Sequence, residues 1–155
     1  GKTTVLELVI RELSEREYRV GTVKHDTHGF DMDRPGKDTW RHAQAGSRSV
    51  VISGPRRMAL IRRVEDEIPL DELVLWMGDL DIVLTEGYKR GSSPKIEVAR
   101  QARGTELLCG ANEVIAIMSD FPVDMPVPHY DLSDAVGVVD LLEERYLTRT
   151  REEGA

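Results

Sequence analysis

The chain opens GKTTVLELVIRELSEREYRVGTVK, where a short polar head runs directly into a helical pattern and then a strand. GKTT is the closing half of the phosphate-binding pattern GxxxxGK[ST]. Behind it Val5, Leu6, Val9 and Leu13 recur at helical spacing through Tyr18, with Glu7, Arg11, Glu12 and Glu15 on the remaining arc. Val20-Gly-Thr-Val-Lys24 then reads as a short strand. A helix returning into a strand in this way is half of a βαβ unit. The expectation is an α/β fold with a mostly parallel sheet, and a first strand ahead of GKTT that this chain does not supply.

The remaining elements follow from pattern and punctuation. Asp38 is placed to cap a short helix through Ala45, ended by Gly46; Ser49–Ser53 and Met58–Arg62 read as strands around a Gly54-Pro55 turn. So tight a connection implies an antiparallel hairpin at a sheet edge. A helix is expected over Pro69 to Met77, and strands over Asp81 to Glu86, Lys95 to Ala99 and Val114 to Met118. The continuous apolar runs DIVL and VIAIM fit buried parallel strands. Ser133 is placed to cap a last helix carrying Val136, Val139 and Leu142, leaving residues 148–155 as a polar tail that frays.

With 155 residues the chain is long enough for one substantial core, so one domain over residues 1–147 is the default. Asp and Glu outnumber Lys and Arg 28 to 21, a formal charge of −7, which gives no global attraction to nucleic acid or an anionic membrane. One cysteine, Cys109, rules out an internal disulfide, and no apolar run is long enough to span a bilayer. The reading is a cytoplasmic protein that engages neither nucleic acid nor membrane.

Four segments carry candidate chemistry. In a phosphate loop, backbone N–H groups and the helix head surround the phosphates, the lysine bridges the outer ones and the hydroxyl ligates magnesium. Lys2 and Thr3 would take those last two roles here; the bland reading is an ordinary polar helix N-terminus. In DIVLTEG, Glu86 ends a buried parallel strand at the side where an open α/β sheet binds its ligands, which suits a carboxylate holding magnesium or orienting a water. The bland reading is a solvated acid opening a turn before Gly87. The loop from Lys24 to Asp38, KHDTHGFDMDRPGKD, opens toward the same side. Its His25 and His28 with Asp31 or Asp33 make a poor zinc signature, so solvent-facing or substrate-contacting histidines are the preferred reading. Asp33 nearing the magnesium shell and Lys37 meeting phosphate would make the loop a switch. Last, EGYKRGSSPK sets Lys89, Arg90 and Lys95 around a Gly-Ser-Ser turn, either as an anion site or as an exposed basic loop.

Taken together, GKTT, VGTVKHDTHGFDMDRPGKDTWRHAQAGS, DIVLTEGYKRGSSPKIEVAR and VIAIMSD, in this order and spacing, closely resemble the molybdopterin-guanine dinucleotide biosynthesis protein B family, MobB. The resemblance runs from Gly1 to about Leu142. It implies a three-layer P-loop NTPase fold akin to the signal-recognition and nitrogenase-iron-protein class, GTP and Mg2+ as cofactors, weak GTP hydrolysis and a homodimer. It also implies work beside a MobA-type guanylyltransferase, which joins GMP to molybdopterin. By the same resemblance Gly1, Lys2, Thr3 and Thr4 form the phosphate loop, and Glu86 is the acid of the magnesium site. His28, Asp33, Lys37 and Asp38 line the active face, with Lys2, Glu86 and Asp33 as the catalytic set and Thr3, Glu86 and Asp33 as the metal set. Lys89 and Lys95 contact nucleotide or molybdopterin phosphate, and Asp120 reads guanine.

Two other readings stand beside this one. A related P-loop protein with another cargo, such as a nickel-insertion GTPase or a small-molecule kinase, shares GKTT, although the nickel-inserting kind is expected to carry a denser Cys/His cluster. A non-catalytic adaptor would use nucleotide only to shape a surface for its partner.

Overall fold

The computed structural model describes residues 1–88 and 91–147. In chain order its elements are α1 (Lys2–Glu15), β1 (Val20–Lys24), α2 (Asp38–Gln44), β2 (Ser49–Ser53), β3 (Met58–Arg62), α3 (Leu70–Trp76), β4 (Ile82–Glu86), β5 (Lys95–Ala99), β6 (Val114–Ser119), β7 (His129–Tyr130) and α4 (Ala135–Tyr146). Contacts divide them into two compact units, one of residues 1–24 with the described residues from 79 on, the other of residues 25–78. None of the described helices is long and apolar enough to cross a membrane.

The first unit holds the core. The helical spacing of α1 buries Val5, Val9 and Leu13. The spacing of α4 buries Ala135, Val138, Val139, Leu141 and Leu142. These faces pack with Met118 of β6, and the half-buried Ile82, Leu84, Ile96 and Val98 of β4 and β5 pack against them. The turn after α1 supplies a polar clamp: Arg16 donates to Asp140 and Glu143, each at 2.7 Å, and the Tyr18 hydroxyl donates to Glu143 at 2.8 Å.

The strands of this unit are parallel, as expected. β1 pairs with β4 from Val20 beside Ile82 to Lys24 beside Glu86. β5, β6 and β7 make a second parallel sheet. Among the described residues β4 and β5 are not hydrogen-bonded to each other, so the parallel strands stand as two sheets that share one core. Glu17, at φ 65°, helps reverse the chain between α1 and β1. Fourteen helical residues rise about 21 Å and a five-residue strand about 16 Å, so the head of α1 returns toward the end at which β1 finishes.

The second unit is thinly packed. Its β2–β3 hairpin is antiparallel, with Ser49 beside Arg62 and Ser53 beside Met58, and forms a sheet of its own. Val50 is its one buried residue. Arg62 lies over the Trp76 ring at 5.4 Å, and Arg63 donates to the Ala43 carbonyl at 2.7 Å.

Two capping expectations are corrected. Asp38 is the first helical residue of α2, and Lys37 stands at the cap position. Asp38 thus faces the helix dipole from inside the first turn instead of bonding a free N–H. At α4 the cap is Asp134, which accepts from the Gly137 N–H at 2.8 Å. Ser133 is drawn away from that role because its hydroxyl donates to Asp131 at 2.6 Å in a local turn.

Candidate functional site

At the head of α1, Gly1 occupies the cap position with no side-chain cap, and no acidic residue stands in the first turn. The N–H groups of a first helical turn have no intrahelical partner, so Lys2, Thr3 and Thr4 present donors at the positive pole of the helix. All four residues are exposed.

Glu86 closes β4 and is half-buried; its register partner is Lys24, which closes β1. The acid and the lysine thus share the carboxyl end of one parallel pair, the end toward which the head of α1 returns. For magnesium the fitting groups are hard oxygen donors, the Thr3 hydroxyl and the Glu86 carboxylate, since this ion ordinarily keeps several waters and takes the rest of its shell from phosphate. Among the described residues no group of three or more His, Cys, Asp or Glu is placed to hold a metal by itself.

Asp120 follows the last residue of β6, and one of its carboxylate oxygens accepts the Gln101 N–H at 2.7 Å. Ser119 beside it is buried. Its hydroxyl donates to the Phe121 carbonyl at 2.6 Å and meets His129 Nε2 at 2.7 Å, so the imidazole donates in return. These bonds root the Asp120 backbone at the carboxyl end of β6. Lys95 is elsewhere: it opens β5 opposite Val114, the first residue of β6. Five strand residues span about 16 Å. Lys95 and Asp120 therefore stand at opposite ends of one parallel pair. At the Lys95 end the ammonium lies 4.0 Å from Glu113. A concavity of about 330 Å³, bordered by Ser92, Ser93 and Asn112, adjoins it.

His28, Asp33, Lys37 and Asp38 belong to the second unit. There the loop is organised by its own carboxylates: Asp26 accepts the His28 N–H at 2.8 Å and Asp31 the Asp33 N–H at 3.2 Å. One Asp33 oxygen takes both the Arg34 N–H at 2.8 Å and the Thr39 hydroxyl at 3.1 Å, which fixes the direction of the carboxylate. His25 pairs with Glu67 at 3.0 Å. Lys37 and Asp38 are exposed. Lys89 and residues 148–155 lie outside the described residues.

Two further residues of the first unit escaped the sequence reading. Lys24 was read as the end of a strand and the start of a loop; its place beside Glu86 was not legible, because the two lie more than sixty positions apart. Arg100 directly follows β5, and its side chain lies against Gly1: a Cβ built on Gly1 would stand 2.9 Å from Arg100 Nε and 3.2 Å from its Cδ. The available signal was its place, one residue past the carboxyl end of a parallel strand.

A sequence profile of MobB, described as molybdopterin guanine dinucleotide synthesis protein B, matches residues 1–120. The chain belongs to the MobB family. A molybdopterin-guanine dinucleotide biosynthesis adapter protein of Escherichia coli (strain K12) is 35% identical over 150 residues, covering 93% of this chain and 86% of that protein. The corresponding adapter protein of Haemophilus influenzae is 33% identical over 145 residues, covering 92% and 82%. A crystal structure of a molybdopterin-guanine biosynthesis protein B superposes with a TM-score of 0.71 at 25% identity, covering 93% of this chain and 92% of that one. The fold is the P-loop NTPase fold of MobB proteins.

Proposed function

We propose that this chain is a GTP-binding adapter of molybdenum cofactor biosynthesis that hydrolyses GTP weakly and assists conversion of molybdopterin to molybdopterin-guanine dinucleotide. The observation that carries the reading is the uncapped GKTT head of α1, in a MobB chain whose Glu86 closes β4 on the side to which that head returns. The first-turn N–H groups and Lys2 receive the outer phosphates, Thr3 and Glu86 hold Mg2+, and Asp120 meets the guanine edge with the carboxylate oxygen not taken by Gln101. The ion, when bound, offsets charge on the phosphate oxygens. In the hydrolysis, a water oxygen bonds to the γ-phosphorus while the bond to the β–γ bridging oxygen breaks. GDP and phosphate leave, and the water proton passes to solvent. Lys2 bridges the phosphates as charge builds on that leaving oxygen.

His28, Asp33, Lys37 and Asp38 act as a switch face in this reading, with Asp33 oriented by Arg34 and Thr39. Lys95, at the amino end of β5, is assigned to the phosphate of molybdopterin, and Lys89 belongs with it. The protein works in the cytoplasm as a homodimer beside a MobA-type guanylyltransferase. Calorimetry with GTP and Mg2+ tests the reading: Lys2→Ala is expected to weaken GTP about tenfold or more, and equal affinity for ATP and GTP would remove the role of Asp120.

A purely non-catalytic adapter is the second reading, favoured by the adapter name borne by both curated relatives. Comparing turnover with nucleotide-dependent binding to the guanylyltransferase separates the two. If Lys2→Ala lost turnover yet kept partner binding and cofactor maturation, hydrolysis would be dispensable and the adapter reading would stand alone.

A further inference from the structure

We propose that Arg100 is a phosphate-binding residue of the GKTT site, holding the ligand's anionic group against the head of α1 together with Lys2; this rests on the nucleotide reading above. Three features of the structure carry it.

The first is contact. A Cβ on Gly1 would meet Arg100 at 2.9 Å (Nε), 3.2 Å (Cδ) and 3.6 Å (Cζ), so the guanidinium lies along the backbone that a phosphate loop turns toward its ligand. The absent side chain of Gly1 is the space the arginine uses.

The second is charge. A helix head is a partial positive pole that proteins commonly offset with a nearby acid, and here the first turn has none. Arg100 adds a full positive charge to the same place. Among the described residues its side chain has no ion pair or hydrogen bond, whereas Arg16 and Arg19 of the same unit are each tied to aspartates. A dianionic phosphate would attract both positive groups, and the planar fork of a guanidinium matches its oxygens.

The third is a fixed root under a free tip. Ala99 just before it is buried. The Arg100 carbonyl accepts the Arg103 N–H at 2.8 Å, and the Gln101 N–H is anchored on Asp120 at 2.7 Å. The backbone is held on both sides of the residue while the side chain is exposed, so little is left to order except the guanidinium. The same anchor links the phosphate end of the site to Asp120.

The experiment measures GTP, GDP and guanosine binding to the full chain, for wild type, Arg100→Gln and Arg100→Lys, across a salt series. The expected result is a loss of roughly tenfold or more in GTP and GDP affinity for Arg100→Gln, the usual scale for a charge-assisted hydrogen bond. Guanosine affinity and the melting temperature stay unchanged, the salt dependence flattens, and Arg100→Lys falls between. Wild-type binding of GTP with undiminished binding by Arg100→Gln would overturn the proposal alone, as would an equal loss for guanosine, which marks a structural role. Failure of wild type to bind either GTP or GDP would overturn the nucleotide reading and this proposal with it.

Discussion

Glu143 and Cys109 show opposite effects of local environment on ionisation. The Tyr18 hydroxyl, and against the cost of partial burial the Arg16 guanidinium, hold the Glu143 carboxyl below its ordinary value of 4.5. A depressed folded value means a stabilisation that is complete above pH 4.5 and lost as pH falls through the lower folded value. Tyr18→Phe is therefore expected to cost about 1 kcal/mol at neutral pH, discounted for the partly exposed carboxylate, with the difference from wild type shrinking in acid. Urea midpoints measured from pH 7 downward check this; a constant difference would contradict it. Burial, with Glu97 and Glu113 nearby, pushes the Cys109 thiol above its ordinary value of 9.0. Its alkylation at pH 7.5 is expected to be slower than that of a free thiol and to climb steeply above pH 9.0. A rate equal to that of free cysteine would show that these groups do not act on the thiol. The Glu143 shift was not readable from residue type, because Glu143 lies 125 positions from Tyr18.

The α4 helix is set by one cap and one close approach. Asp134→Ala removes the bond to the Gly137 N–H and is expected to cost about 1 kcal/mol. Gly137→Ala would put a Cβ 2.8 Å from both Asp134 and the Tyr130 ring, so it is expected to cost about 1–3 kcal/mol through displacement of the ring. Thermal melts of the two single variants test both; a Gly137→Ala as stable as wild type would mean that the ring moves freely. Element types were largely legible, since apolar spacing alone located α1, α4, the half-buried strand β4 and the buried strand β6. The caps were less so. Ser133 and Asp134 are both good capping residues by type, and the choice between them came from Asp131, which takes the serine hydroxyl.

Across the whole molecule the two units differ in how much apolar surface they bury. The first has α1, α4 and the parallel strands around a common core, while residues 25–78 bury Val50 and leave Val51, Ile52 and Met58 more than half exposed. Amides of α2, α3 and the β2–β3 hairpin are therefore expected to exchange with solvent through lower-energy openings than those of α1, β6 and α4. Hydrogen-exchange mass spectrometry decides this; equal protection in both units would show one cooperative body. GKTT, its helix, the acid-ended strand and the family were set by the sequence alone, because helical and strand periodicity and turn chemistry are local properties of the chain. Which residues become neighbours was decided by the tertiary structure. Lys24 stands beside Glu86, Arg100 lies on Gly1, and Lys95 falls at the opposite end of its sheet from Asp120. Strand direction, register and helix packing fix those distances, and they arise from contacts between residues remote in sequence.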